Sequence, residues 1–145
     1  MFKFVNWADA LFAMDRAWWR MHVKDVAGCF AGERYTSSKN VKGAATIDLG
    51  GAGNSGAAAI KLAAHLGAER IVLVGYDCQK SNSGVVHFHG DHPKGLGNAG
   101  SMPRWLGQYK ASVEYLAGVE VINASRDTAL NLWPRIPLEQ ALCDA

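Results

Sequence analysis

Residues 54–77, NSGAAAIKLAAHLGAERIVLVGYD, constrain this chain more than any other stretch. The first half is alanine-rich and carries an apolar stripe through Ile60, Ala63 and Ala64. Gly67 supplies a C-terminal stop, so a helix is expected over 54–67. RIVLVGYD (70–77) follows at once. Four consecutive apolar residues, mostly β-branched, predict a strand covered on both faces, as in a parallel sheet.

The rest of the chain continues the alternation. ADALFAMD (8–15) reads as a buried strand. RAWWRMHVKDVAGCF (16–30) places Trp19, Val23, Val26 and Phe30 at helical spacing. ERYTSS (33–38) and AATIDLGG (44–51) are strand candidates. Pro103 suits the first turn of a helix over 103–117, faced by Trp105, Leu106, Tyr109, Val113 and Leu116. VEVINAS (119–125) is a last strand, and PLEQALC, opened by Pro137, a short terminal helix. Strands alternating with helices in this way predict a single α/β domain over 1–145. Its expected form is an open, mostly parallel sheet with helices on both faces.

Composition narrows the function classes. The chain has 145 residues, 49% of them hydrophobic, which is globular rather than disordered. A net charge of +2 and the lack of any basic run argue against nucleic acid as a partner. No apolar run approaches the roughly 20 residues of a membrane span. The start, MFKFVNWADAL, lacks the apolar core of a secretion signal. Three widely spaced cysteines, Cys29, Cys78 and Cys143, read as reduced thiols, and a cytoplasmic location is expected.

Ligands of open α/β sheets sit outside the carboxyl ends of the strands. Three segments are expected there. GGAGNSG (50–56) has glycines that permit close backbone approach, a capping Asn54 or Ser55, and free N–H groups suited to an anion. It is not a dinucleotide fingerprint or a P-loop; its bland alternative is a tight turn with an ordinary cap. GYD (75–77) puts a carboxylate at the tip of the central strand. Residues 78–102 hold HFHGDH (87–92), whose order H-x-H-x-D-H copies the zinc signature of metallo-β-lactamases. That fold needs ligands downstream, and no histidine follows His92. A single zinc on His87, His89 and His92 is the metal alternative. Otherwise one of these imidazoles is a general base, or they merely pin a loop. His22 and His65, on expected helices, read as ordinary surface or packed histidines.

The order NSGAAAIKLAAHLGAERIVLVGYD, HFHGDH, helix 103–117 and VEVINAS resembles the nucleotide-binding half of bacterial CMP-sialic-acid sialyltransferases. Closer still is the resemblance to small phage and prokaryotic proteins that share that Rossmann-like, glycosyltransferase-type fold. DALFAMDRAWW fits it as a strand and aromatic helix, so the resemblance covers roughly residues 8–135. It implies that Asn54, Ser55 and Gly56 face a nucleotide sugar and phosphate, with Tyr76 and Asp77 lining the same pocket. It places His92 nearest the catalytic base, with His89 as the rival, to take a proton from an acceptor hydroxyl. Asp15 and Ser37 stand near the base-binding region, where those enzymes carry asparagines. The family pattern opens with a further strand and a G-P-S turn; without them the chain is an N-terminally truncated variant. An uncovered edge then predicts a homo-oligomer. Trp7, Trp18 and Trp19 are its candidate contacts, or else core aromatics.

The expected function is binding of a nucleotide or nucleotide derivative on a glycosyltransferase-like fold, with zinc as the one cofactor the sequence offers. The alternatives are an active glycosyltransferase using a nucleotide-sugar donor with His92 as base, a sponge that sequesters a nucleotide defence signal, and a zinc-dependent hydrolase built on HFHGDH.

Overall fold

A computed structural model describes residues 2–80, 84, 96 and 100–143. The protein is α/β, and every strand pairing among these residues is parallel. The described residues group into two compact units, one made by the chain up to Gly51 and the other by residues 52–80 and 100–143. Among the described residues, no helix is long and apolar enough to cross a membrane.

The first unit runs β1 (Ala10–Phe12), α1 (Arg16–Cys29), β2 (Glu33–Thr36) and β3 (Ala45–Thr46), with the strands in the order β1-β2-β3. Helix α1 forms where the 3.6-residue spacing predicts. It buries Trp19 and Val26 against Phe2, Ala13 and Phe30. The Trp19 indole N–H donates to the Ala13 carbonyl at 2.9 Å, which fixes the helix against the end of β1. His22 packs edge-on to Phe2 and tilted on Trp18, and its burial lowers its pKa. It is thus the packed histidine that the sequence suggests. Strand β1 departs from expectation: Ala10 is exposed, Leu11 and Phe12 are half-buried, and only Ala13 is buried. The apolar run 8–15 is long enough for a buried strand, but just three of its residues pair.

Gly32 enters β2 directly against β1. A side chain there would collide with the carbonyl oxygens of Asp9 and Ala8, which are backbone and cannot swing away. Gly32→Ala is therefore expected to lower the stability of this unit by about 1–3 kcal/mol. Gly28 lies inside α1 with open space around it. Gly28→Ala should instead raise stability by about 0.5–1 kcal/mol. Urea unfolding of the two variants, followed by circular dichroism, checks both signs.

The second unit runs α2 (Ser55–His65), β4 (Arg70–Leu73), α3 (Met102–Lys110), β5 (Glu120–Asn123) and α4 (Leu138–Cys143). Helix α2 ends as the sequence predicts: Gly67 takes φ +95°, and the N–H groups of Gly67 and Ala68 close onto Ala64 and Ala63. Strands β4 and β5 pair in parallel from Arg70 with Glu120 to Leu73 with Asn123. Their side chains alternate between two covered faces. Ile71, Leu73 and Val121 pack with Ala57 and Ile60 of α2, Tyr109 of α3 and Leu116. Val72, Ile122 and Ala124 pack with Ala141 of α4. The apolar residues Ile71, Val72 and Leu73 are thus covered on both sides of the strand, as expected, while Val74 beyond its end is exposed.

The helix expected over 103–117 is shorter. Pro103 lies in its first turn, but α3 ends at Lys110 and gives way to a 3-10 turn at Glu114–Leu116. Ser112 is fully buried and turns its hydroxyl back onto the Gln108 carbonyl at 3.1 Å, which competes with continued helical bonding.

Candidate ligand-binding site

Beyond Leu73 the chain must leave the sheet, and it does so through two left-handed residues, Gly75 (φ +76°) and Cys78 (φ +53°). The second is not a glycine and costs roughly 1–3 kcal/mol in backbone strain. Between them Tyr76 and Asp77 go to opposite sides of the β4–β5 pair. The loop after β5 grips both. Tyr76 N–H donates to Ser125 Oγ at 2.8 Å, Thr128 Oγ1 donates to the Tyr76 carbonyl at 2.6 Å, and Ala129 N–H donates to the Asp77 carbonyl at 2.8 Å.

Tyr76 turns towards the start of α2. Its hydroxyl donates to the Gly56 carbonyl at 3.3 Å, and its ring meets Tyr109 edge-on at 6.0 Å. Asn54 caps α2: its side-chain oxygen accepts from Ala57 N–H at 2.9 Å, and its amide donates to Gln108 Oε1 at 2.9 Å. Both ends of that side chain are therefore committed within the fold. Ser55 is exposed, and Gly56 is required, because a side chain there would collide with the Tyr109 hydroxyl. The structure brings Asn54, Gly56 and Tyr76 together through contacts among themselves and with α3.

Burial pushes the Tyr76 hydroxyl up to about 12, and also raises Tyr109 and the Cys78 thiol. For Tyr76 the folded state favours the neutral phenol. Its stabilising contribution is full below the ordinary value near 10 and disappears as pH rises through about 12. Stability measured by denaturant is expected to fall between pH 10 and 12, and Tyr76→Phe should reduce that slope, leaving the part due to Tyr109.

Asp77 faces an open cleft of about 920 Å³ at the carboxyl ends of β4 and β5. This is within the roughly 300–1,000 Å³ of small-molecule sites. Its lining is partly apolar: Val74, Ala124, Ile136 and Leu138. The lining also carries charge, with the cations Lys80, Arg126 and Arg135 and the carboxylates Asp77, Asp127 and Glu139. Arg135 is anchored. Its Nε donates to the Ser125 carbonyl at 3.2 Å, and its terminal nitrogen donates to the Arg126 carbonyl. The chain around it adds to the edge of β5, as Asn123 pairs in parallel with Arg135. Beneath the cleft Asn123 is fully buried and satisfied on both sides. Its amide donates to the Leu130 carbonyl at 3.0 Å, and its oxygen accepts from Ser125 N–H at 3.0 Å. The turn that presents Ser125, Arg126 and Asp127 is thus held from below by Asn123 and from the side by Arg135.

Of the residues read from the sequence, Asp77 lines this cleft. Asp15 and Ser37 belong to the first unit, where both are exposed and follow the adjacent strands β1 and β2. His87, His89 and His92 lie outside the described residues. Among the described residues, no group of three or more His, Cys, Asp or Glu is placed to hold a metal. The three cysteines are unpaired, with Cys29 and Cys78 half-buried and Cys143 exposed. Trp19 is core, Trp18 is half-buried, and Trp7 is 79% exposed. Sequence reasoning missed Arg126, Asp127 and Arg135. One signal was present: VEVINAS is a parallel strand, so the polar residues that follow it belong at the ligand end of the sheet. Comparison with known protein families, with curated proteins and with solved structures finds no match.

Proposed function

We propose that this protein binds a nucleotide or nucleotide derivative in the cleft at the carboxyl ends of β4 and β5, on a Rossmann-like fold of the glycosyltransferase type. One observation carries the reading. A cleft of nucleotide size opens where parallel α/β sheets bind ligands, and its lining combines apolar side chains with cations and carboxylates. The apolar lining residues Val74, Ile136 and Leu138 suit a base. Asp77 and Asp127 suit ribose hydroxyls, as carboxylates accept two hydrogen bonds each. Lys80 and Arg126 suit a phosphate.

The test is thermal unfolding against a panel of cytidine, uridine, adenosine and guanosine nucleotides. A ligand present at 100 times its Kd is expected to stabilise the protein by about 2.7 kcal/mol. No shift with any member contradicts the reading. Mass spectrometry of the recovered ligand then separates the two forms of the proposal. An intact nucleotide supports binding or sequestration, and an altered one supports a glycosyltransferase with His92 or His89 as base.

A further inference from the structure

Arg126 and Asp127 line the cleft from a two-residue span between Ser125 and Thr128, and both of these neighbours hold one residue of the chain beyond β4. Ser125 Oγ accepts from the Tyr76 N–H at 2.8 Å, and Thr128 Oγ1 donates to the Tyr76 carbonyl at 2.6 Å. Asp77, which also lines the cleft, comes next, and its own carbonyl accepts from Ala129 N–H at 2.8 Å. The Thr128 hydroxyl does more than close this bracket. It also accepts from Leu130 N–H at 3.0 Å and from the Asn123 amide at 3.3 Å. A hydroxyl has one proton to give and two lone pairs to fill. All three are used, and they tie the end of β5, the turn after it and the chain beyond β4 to a single oxygen. Thr128 itself is half-buried and is not among the residues that line the cleft.

We infer that Thr128 is a positioning residue of the cleft: its hydroxyl fixes where Arg126 and Asp127 stand relative to Asp77, and it acts through them rather than by contact with the ligand. This rests on the nucleotide reading above. In that reading Arg126 meets the phosphate and the two carboxylates meet the ribose, so one ligand must reach groups carried by two separate segments. Arg126 and Asp127 are exposed, and an exposed turn left to itself samples many arrangements. Binding would then have to supply the ordering, whereas a turn already bracketed at both ends spares that cost. Loss of the hydroxyl should therefore appear in affinity, and its size should depend on the residues that the hydroxyl places.

The experiment is calorimetric titration of the intact protein with cytidine, uridine, adenosine and guanosine 5′-monophosphate. The tightest of the four is then titrated into each variant at a temperature where circular dichroism shows it folded. Thr128→Val keeps the shape and removes the hydroxyl; it is expected to weaken binding by about tenfold, a usual size for coupling inside a hydrogen-bond network. Thr128→Cys, whose thiol is a weak donor and acceptor, takes its place should the valine variant not fold. Thr128→Ser retains the hydroxyl and should bind nearly as tightly as the unsubstituted protein. In an Asp77→Asn background the loss caused by Thr128→Val should be severalfold smaller, because one of the groups it places is already weakened. A residue that only stabilises the fold would give the same loss in both backgrounds. Equal losses, a Thr128→Val protein that binds normally, or a serine variant as weak as the valine one overturns the positioning role while leaving nucleotide binding in place. No binding of any of the four compounds overturns the nucleotide reading itself, and this inference with it.

Discussion

Trp19→Ala is expected to cost the first unit about 3–5 kcal/mol. Only 1% of the Trp19 surface is exposed, and its ring is the largest fully buried side chain described. Truncation leaves a cavity among Phe2, Ala13, Val26 and Phe30 that the two neighbouring elements cannot close. It also orphans the Ala13 carbonyl, which receives the indole N–H at the end of β1. An unpaired buried acceptor adds its own desolvation penalty. Whole-domain stabilities are only about 5–15 kcal/mol, so the loss is a large fraction of the total. Trp7→Ala provides the control. With 79% of its surface exposed, Trp7 should change stability by no more than about 0.5 kcal/mol. Urea titrations followed by far-ultraviolet circular dichroism distinguish the two, and equal effects would contradict the packing described for α1.

Asn123→Leu is expected to be nearly as costly, and for a different reason. The volume is similar, but the new side chain offers neither donor nor acceptor. Ser125 N–H and the Leu130 carbonyl lose their buried partners, at about 1–3 kcal/mol each. The effect extends to the site. Asn123 shapes the turn that carries Ser125, Arg126 and Asp127 into the cleft. Ligand affinity should therefore fall together with stability. Leu130→Ala, which removes a buried apolar chain on the second unit's other cluster, should lower stability while leaving affinity nearly unchanged once the protein is folded. A variant of Asn123 that loses stability but binds ligand normally would separate the turn from the site.

Much of the second unit was legible in the sequence because its signals are local. The alanine-rich stripe, the glycine stop and the apolar strand lie in one continuous run, and each has its own periodicity. Both faces of β4 are covered, as a run without polar alternation requires. Less was legible where the deciding contact is distant. Asn54 reads as a ligand group until Gln108, far along the chain, is seen to accept its amide. Arg135 carries no motif, and it matters only because its segment returns to the edge of β5. Helix α3 reads too long because apolar spacing continues through Val113 and Leu116, while the backbone turns away at the buried Ser112. Asp77 lies between these cases. Its place at the strand tip follows from sequence, but its direction depends on the left-handed turns at Gly75 and Cys78.

The most direct test of the cleft is a backbone amide NMR titration with the nucleotide that gives the largest thermal shift. The account predicts saturable shifts centred on Gly75, Asp77, Ser125, Arg126 and Arg135, and their loss in Arg126→Ala. Shifts centred instead on Asn54–Ala57, or on the strand ends at Asp15 and Ser37, would contradict it.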